Sequence, residues 1–230
     1  GAHLTIPAFT EKDRADLIFG LEQEIDMLAI SFVRKAEDIT MVREVIREID
    51  PKRANLPIIA KIERPEAIDQ LHEIVHAADG VMVARGDLAV ETSPSSVPII
   101  QKRIIELANL HAKLVITATQ MLDSMIHNPR PTRAEASDIA NAIFDGTDAV
   151  MLSGETASGN YPIESVAMMA AIVAEAEANA EKWGHAGNFP EDVTRDDAVS
   201  IARAAKELAH DRNVSNVTVF TQSGKTALLM

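Results

Sequence analysis

Five apolar runs, each followed by an amphipathic helical pattern, constrain the fold of this 230-residue chain more than any other feature. They are nearly continuous apolar stretches rather than alternations, which is typical of parallel strands covered on both faces. Their starts lie roughly 30 residues apart, the length of one strand, one helix and two loops. The pattern predicts consecutive βα units and a parallel sheet. The runs are residues 27–33, 57–63, 80–85, 114–119 and 148–153.

Consecutive βα units of one size build either a doubly wound sheet or a barrel. Two helix starts carry the capping-box pattern of a hydroxyl three residues before a carboxylate, Thr10 with Asp13 and Thr132 with Glu135. A closed (β/α)8 barrel needs eight strands, so the five runs supply only part of one. We expect an α/β fold of the TIM-barrel type, with about five of the eight βα units in residues 1–183.

The end of the chain has a different organisation. Residues 184–194 contain two Gly and one Pro and are predicted to form a linker. A helix at about 195–211 and a strand at 216–221 are predicted beyond it. We expect residues 195–230 to be the truncated start of an α/β C-terminal domain.

Composition excludes several classes of partner. Asp and Glu outnumber Lys and Arg by 35 to 22, the formal charge is −13, and aromatic residues make up 3%. Because nucleic-acid-binding proteins need positive charge and stacking aromatic rings, we expect no nucleic acid. No run approaches the roughly 18 apolar residues of a membrane span, and we expect no membrane partner. Cysteine is absent, which excludes thiolate metal sites and fits a reducing, cytoplasmic compartment.

Polar residues accumulate where the runs end. In parallel α/β folds that edge is the catalytic face, because loops from several strands converge there. Every run has such an end here, so we expect a site at this edge. The polar residues are Ser31, Arg34, Lys35, Lys61, Glu63, Arg85, Asp87, Thr117, Thr119, Gln120, Ser153 and Glu155.

Lys61 and Glu63 lie two residues apart on one predicted strand, so their side chains share a face. They form either a local ion pair or part of a binding site for an anion, because a lysine within IIAKIE is costly to bury without an anionic partner. Glu63 and Asp87 follow successive runs, and facing carboxylates repel unless they share a proton or a cation. Their oxygens favour Mg²⁺ or Mn²⁺ together with a phosphate-bearing ligand.

Gly86 and Thr119 each allow two interpretations. Gly86 either lets the backbone approach a ligand, whose carboxylate the following N–H groups take, or is an ordinary turn glycine. Thr119 either binds a ligand or is a helix cap or satisfied strand-end hydroxyl. The residues by themselves leave both alternatives open.

Five segments resemble motifs of the pyruvate kinase family, in the family's order, and together they cover nearly the whole chain. One such segment would be suggestive, whereas five in order make the resemblance specific. The segments are ISFVRKAEDI, IIAKIERPEAI, DGVMVARGDLAVE, VITATQMLDSMIHNPRPTRAE and DAVMLSGETASGNYPIE.

The resemblance implies the last step of glycolysis, in which phosphoenolpyruvate and ADP give pyruvate and ATP. Lys61 matches the lysine that stabilises the transferred phosphoryl group. Glu63 and Asp87 match the ligands of Mg²⁺ or Mn²⁺. Ser153 and Glu155 match strand-end residues linked to the proton relay that converts enolpyruvate to pyruvate.

The resemblance also implies how the substrate is held. The N–H groups of Gly86 and Asp87 and the hydroxyl of Thr119 match groups that bind the phosphoenolpyruvate carboxylate, beside Arg85. At the other end, TQSGKT resembles the start of the effector phosphate loop of the family's C-terminal domain. The residues of that loop are Thr221, Ser223, Gly224, Lys225 and Thr226.

The resemblance begins midway through the family's barrel. It implies that the first three βα units, a phosphate-gripping arginine, the K⁺ ligands and the lid over ADP lie outside these residues. We therefore expect the chain to be inactive alone. The resemblance also implies a homo-oligomer, which is a tetramer in the family.

Two alternatives remain. A metal-dependent aldolase or lyase of the same barrel superfamily also holds Mg²⁺ with Glu and Asp, but lacks the lysine of KIE and the runs ATQML and PRPTRAE, which are present here. A non-catalytic regulatory or assembly fragment is the other alternative.

Overall fold

The computed structural model describes residues 9–183, 197–212, 214, 216–222 and 224–228. The strands are β1 (Leu28–Ile30), β2 (Ile58–Ile62), β3 (Gly80–Ala84), β4 (Leu114–Ala118) and β5 (Ala149–Met151). The α-helices are α1 (Glu11–Glu22), α2 (Ala36–Ile49), α3 (Pro65–Asp69), α4 (Leu71–Ala77), α5 (Arg85–Glu91), α6 (Val97–Leu110), α7 (Arg133–Phe144), α8 (Gly154–Ala157), α9 (Pro162–Ala178), α10 (Ala180–Trp183), α11 (Asp197–Asp211) and α12 (Lys225–Leu228). Short 3₁₀ turns cover Pro51–Arg53 and Asp123–Ile126.

The strands form one five-stranded sheet in the order β1-β2-β3-β4-β5, and every pair is parallel. A doubly wound sheet reverses its strand order at a switch point, and these five strands contain no reversal. The order is that of a barrel wall, in which each strand pairs with the next one along the chain. The predicted α/β class with five βα units of TIM-barrel type is confirmed.

Two aspartates fix the register of the sheet in the same way at the amino ends of β3 and β5. Asp79 accepts a hydrogen bond from the Ile58 N–H at 2.8 Å and donates its own N–H to the Ile58 carbonyl at 2.9 Å. Asp148 repeats both bonds with Val115, at 2.8 and 3.0 Å. Because a slip of one residue moves every side chain to the other face, this register decides which side chains reach the carboxyl edge.

The sheet has two faces with different neighbours. On one, Ile58, Val81 and Val115 are fully buried. On the opposite face, Ile59, Met82 and Ala118 form an apolar cluster, which we call the inner cluster. Lys61 follows Ile59 by two residues on β2 and therefore points to the same side as the inner cluster.

Both predicted capping boxes are present. Thr10 and Asp13 start α1, and Thr132 and Glu135 start α7. The Glu135 carboxylate also accepts hydrogen bonds from the N–H and hydroxyl of Ser124, at 2.7 and 2.6 Å. Burial alone raises the pKa of Glu135, but the hydrogen bonds from Ser124 and Thr132 outweigh it and hold the pKa below its ordinary value.

Glu135→Gln should lower the free energy of unfolding at pH 7 by about 1 kcal/mol. The effect is of this size because the carboxylate is partly exposed and solvent screens its charge. A lowered folded-state pKa stabilises the protein above the ordinary carboxyl pKa, and this contribution disappears as the pH falls through the lowered value. Urea unfolding from pH 7 to pH 3 should therefore show the difference from wild type shrinking. The control is Glu164→Gln, at an exposed residue in the first turn of α9. A pH-independent difference would contradict the prediction.

The chain divides into two compact units, Gly1–His185 and Ala186–Met230. The predicted linker at residues 184–194 lies outside the described residues. The strand predicted at 216–221 is wrong, because those residues form none. Val217 is 48% exposed and Phe220 is 95% exposed, and among the described residues no strand pairs with the backbone of this run, although its composition is β-forming. In the described parts of the chain, no helix is long and apolar enough to cross a membrane.

Candidate active site

The carboxyl ends of β1 and β2 bring together a lysine and a buried carboxylate. Lys61 Nζ lies 2.6 Å from Glu63 Oε1 and donates to Ser31 Oγ at 3.0 Å. Glu63 is 1% exposed, and its Oε2 accepts the Phe32 N–H at 2.7 Å. Phe32 has a φ of 57°, in the left-handed region, where the chain turns after β1.

Lys61 and Glu63 form the ion pair that one of the two interpretations predicts, and the role of Lys61 in binding an anion stays a prediction. An ammonium group carries three N–H donors, so the contacts with Glu63 and Ser31 leave room for a third acceptor. The Lys61 side chain is 25% exposed, whereas Glu63 is almost completely buried. A ligand at the strand edge can therefore reach the cation, and the buried carboxylate holds that cation in place.

The ends of β3 and β4 form a second group around Thr119. Its hydroxyl accepts the Gly86 N–H at 2.8 Å and donates to the Ala118 carbonyl at 2.7 Å. A Cβ added at Gly86 would lie 3.5 Å from Thr119 Oγ1, an ordinary van der Waals distance. Packing against Thr119 therefore does not itself require glycine, and ligand approach to the backbone remains a reason for it.

The Arg85 side chain faces the protein rather than the open edge. It is 6% exposed and donates to the carbonyls of Thr119 and Gln120, at 2.8 and 3.1 Å. Its other contacts are Met121 Sδ, Gln101 on α6 and Asp138 on α7. By contrast, Asp87 is exposed in the first turn of α5.

One ion pair connects the loops that follow β2 and β3. Arg64 Nη1, at the start of α3, lies 2.9 Å from Glu91 Oε1, at the end of α5. The Arg64 guanidinium also lies over the Phe32 ring, 5.4 Å from its centroid. The pair and the cation–π contact hold the loops beside Glu63 and Asp87 to each other.

Glu155 organises the ends of β4 and β5. It is 2% exposed, and its two oxygens accept the N–H groups of Leu122 and Ser153, at 3.0 and 2.8 Å. The carboxylate therefore ties the loop after β4 to the loop after β5. Ser153, which is half-buried, is positioned through its backbone by this contact.

The carboxylates fit a hard divalent cation. Glu63 and Asp87 offer oxygen ligands only, and a carboxylate oxygen with one hydrogen bond still has a lone pair available. No cluster of three or more His, Cys, Asp or Glu placed to hold a metal occurs in the part of the chain that the structure describes. Two carboxylates suit Mg²⁺, which keeps several waters and takes ligand oxygens to complete its shell.

Several predicted residues lie elsewhere. Thr117 is fully buried and its hydroxyl contacts Thr147 at 3.0 Å, so it does not belong to the edge. In the effector-like segment, Gly224 has a φ of 83° and donates its N–H to Thr221 Oγ1 at 3.1 Å. Ser223 lies outside the described residues.

Sequence reasoning missed three contributors: Gln101, Asp138 and the Phe32 N–H. Asp138 is separated from Arg85 by 53 residues, and neither it nor Gln101 follows a strand. No local pattern marks such a pair, because the contact exists only after α6 and α7 pack beside β3 and β4.

Comparison with known proteins gives consistent matches. The sequence model of the family described as "Pyruvate kinase, barrel domain" matches residues 1–166. The pyruvate kinase of Clostridium acetobutylicum is 51% identical over 226 residues, which cover 97% of this chain and 47% of that protein. The pyruvate kinase of Clostridium perfringens is 50% identical over 229 residues, which cover 99% of this chain and 48% of that protein. The pyruvate kinase of Geobacillus stearothermophilus is 49% identical over 226 residues, which cover 98% of this chain and 38% of that protein. The chain thus spans about half the length, or less, of these curated relatives.

Proposed function

Because the chain belongs to the pyruvate kinase family, we propose that it carries the phosphoryl-transfer residues of an enzyme that converts phosphoenolpyruvate and ADP to pyruvate and ATP. The observation that carries the proposal is the Lys61–Glu63 pair. A cation is held 2.6 Å from a carboxylate that is 1% exposed, at the edge where parallel strands place their active sites. A cation fixed in this way is suited to a reaction in which negative charge moves between oxygens.

Lys61 donates to the phosphoryl oxygens as the group leaves phosphoenolpyruvate. Charge in this transition state is spread over the equatorial oxygens, so catalysis depends on position and electrostatics rather than covalent chemistry. Glu63 and Asp87 would hold Mg²⁺ or Mn²⁺, which would supply positive charge that stabilises the transferred phosphoryl group. The partly buried site strengthens these interactions relative to bulk water.

The carboxylate of phosphoenolpyruvate binds at Gly86 and Thr119. The Gly86 N–H now donates to Thr119 Oγ1, and a carboxylate oxygen takes the place of that acceptor. Thr119 then turns its own hydroxyl proton from the Ala118 carbonyl toward the substrate. Because Gly86 has no Cβ, the carboxylate can approach its backbone closely.

Protonation of enolpyruvate involves Ser153. Both oxygens of Glu155 accept backbone N–H groups, so the carboxylate is held between the loops that follow β4 and β5. We assign Glu155 to positioning and the Ser153 hydroxyl to the relay. By analogy with the family, K⁺ dependence, an effector loop at residues 221–226, a tetramer and a cytoplasmic location belong to the same proposal.

The 230 residues expressed by themselves should be inactive. β1 and β5 are the edges of the sheet, and an unpaired edge exposes backbone donors and acceptors to other chains. The chain spans about half the length of these curated relatives, and the effects of residues in one catalytic unit are strongly non-additive, so Lys61 and the metal ligands should not suffice for turnover by themselves. A purified sample with Mg²⁺, K⁺, phosphoenolpyruvate and ADP should turn over far below 1 s⁻¹. Turnover of about 1 s⁻¹ or more, as in ordinary enzymes, would contradict this.

The proposed function is tested in the full gene product that carries this sequence. ATP and pyruvate should form in equal amounts from phosphoenolpyruvate and ADP, and EDTA should abolish both. Release of pyruvate from a hydroxylated 2-oxo acid, with no ATP formed from phosphoenolpyruvate, would favour the lyase alternative instead. Absence of both activities would favour the non-catalytic alternative.

A further inference from the structure

Two consecutive residues after β4 adopt a backbone conformation that L-amino acids avoid. Thr119 has a φ of 66° and Gln120 a φ of 54°. The left-handed region is uncommon for any side chain, and for a β-branched residue such as threonine it is an outlier. Strained pairs of this kind persist only where the surrounding structure determines them. The strained turn aims Thr119 Oγ1 at the Gly86 N–H, 2.8 Å away.

The Arg85 guanidinium holds this turn through its backbone. Nη2 donates to the carbonyls of Thr119 and Gln120, at 2.8 and 3.1 Å, and Nε donates to the Thr119 carbonyl at 3.1 Å. A guanidinium is a rigid planar fork, so bonds to successive carbonyls fix the direction of both peptide groups. We call these hydrogen bonds of Arg85 to the two carbonyls the clamp. Because Arg85 comes directly after β3, the clamp joins the end of β3, beside Gly86, to the end of β4, beside Thr119.

Asp138 on α7 supplies the countercharge for this clamp. Its Oδ2 lies 2.5 Å from Arg85 Nη1, and the Arg85 side chain is only 8% exposed. A buried guanidinium is unfavourable unless it is paired. Removing Asp138 therefore leaves a buried, uncompensated charge on Arg85, which favours movement of its side chain toward solvent. Gln101 at 3.4 Å is a long, neutral contact that cannot replace the charge.

We propose that Asp138 is a positioning residue for phosphoryl transfer. Through Arg85 it holds the Thr119–Gln120 turn in its strained form, and thereby keeps the Thr119 hydroxyl within reach of the substrate carboxylate that replaces it at the Gly86 N–H. The inference rests on the proposed function for its catalytic consequence. The clamp itself rests only on the contacts of Arg85.

The first test is kinetic and uses the full gene product. Asp138→Ala should lower kcat for ATP formation about 10- to 100-fold, because small misplacements of reacting groups cost rates of this size. The matched control is Asp145→Asn, which removes another ion pair between α7 and α6, with Lys102 at 2.5 Å, and does not touch the turn. The control should stay within about twofold of wild type.

A second residue separates positioning from stability. In the Asp138→Ala background, Gln120→Asn should recover at least part of the lost kcat, because asparagine tolerates the left-handed region better than glutamine does. A residue that only stabilises the fold would give a double variant whose kcat follows its melting temperature. Recovery of kcat without recovery of the melting temperature therefore supports positioning.

Amide hydrogen exchange tests the clamp independently of catalysis. In Asp138→Ala the Gly86 N–H, which is bonded to Thr119 Oγ1, should exchange about tenfold faster, while the amides of β2 should be unchanged. Unchanged exchange at Gly86, or a kcat within twofold of the Asp145→Asn control, would overturn the proposal. If wild type makes no ATP, the proposed function fails, and exchange at Gly86 still decides whether the clamp exists.

Discussion

Lys61→Met in the full gene product lowers kcat for ATP formation by roughly 10²–10³-fold and changes the KM for phosphoenolpyruvate much less. The ammonium is fixed by Glu63 at 2.6 Å and Ser31 at 3.0 Å, so it needs no reorganisation when charge develops on the phosphoryl oxygens. Removal of a group that acts mainly in the transition state lowers kcat and kcat/KM together. Methionine approximates the length of the chain and removes only the charge and the donors.

The control for Lys61 is Lys102→Met. Lys102 also pairs with a carboxylate, Asp145 at 2.5 Å, but it lies on α6 and is 53% exposed. Steady-state kinetics should show this variant close to wild type. An unchanged kcat in Lys61→Met would show that Lys61 serves only the ion pair.

Glu63→Gln raises the Mg²⁺ concentration needed for half-maximal activity by at least 10- to 100-fold and lowers kcat by roughly 10²-fold. The amide keeps the shape and can still accept the Phe32 N–H, which now bonds Glu63 Oε2 at 2.7 Å. The lost charge removes a metal ligand and the anchor of Lys61 together. Because both effects act on one site, Glu63→Gln combined with Lys61→Met should cost far less than the sum of the two losses.

Glu135→Gln is the control for the loss of a hydrogen-bonded carboxylate. Glu135, at the start of α7, accepts four hydrogen bonds from Ser124 and Thr132. It should lower stability and leave the Mg²⁺ dependence unchanged. Equal Mg²⁺ dependence in Glu63→Gln and wild type would remove Glu63 from the metal site.

The parallel strands and the capping boxes could be predicted because local patterns specify them. The βα units by themselves allow a barrel or a doubly wound sheet, and the pairing β1-β2-β3-β4-β5 confirms the predicted barrel-type order. Near-continuous apolar runs also hide which face a residue occupies. For this reason Thr117 was predicted at the edge, although its hydroxyl is buried against Thr147.

The positions of the candidate site residues at the strand ends could be predicted, whereas the contacts between their side chains could not. The strand-end positions of Lys61, Glu63 and Thr119 follow from the register of the sheet. The contacts of Arg85 with Thr119 and Asp138 depend on helix packing over 34 and 53 residues of sequence, which no local pattern encodes. The predicted strand at 216–221 failed because β-forming composition is insufficient without a pairing partner.

A crystal structure of the full gene product with Mn²⁺ and phosphoenolpyruvate, recorded at the manganese absorption edge, tests the central claim most directly. The account predicts one manganese peak about 2.1 Å from a carboxylate oxygen of Glu63 and from one of Asp87. It also predicts a substrate carboxylate at the Gly86 N–H and a phosphoryl oxygen within hydrogen-bond distance of Lys61 Nζ. Carboxylates of Glu63 and Asp87 more than about 8 Å apart, or manganese bound elsewhere, would contradict it, because two ligands at such a distance cannot share one ion.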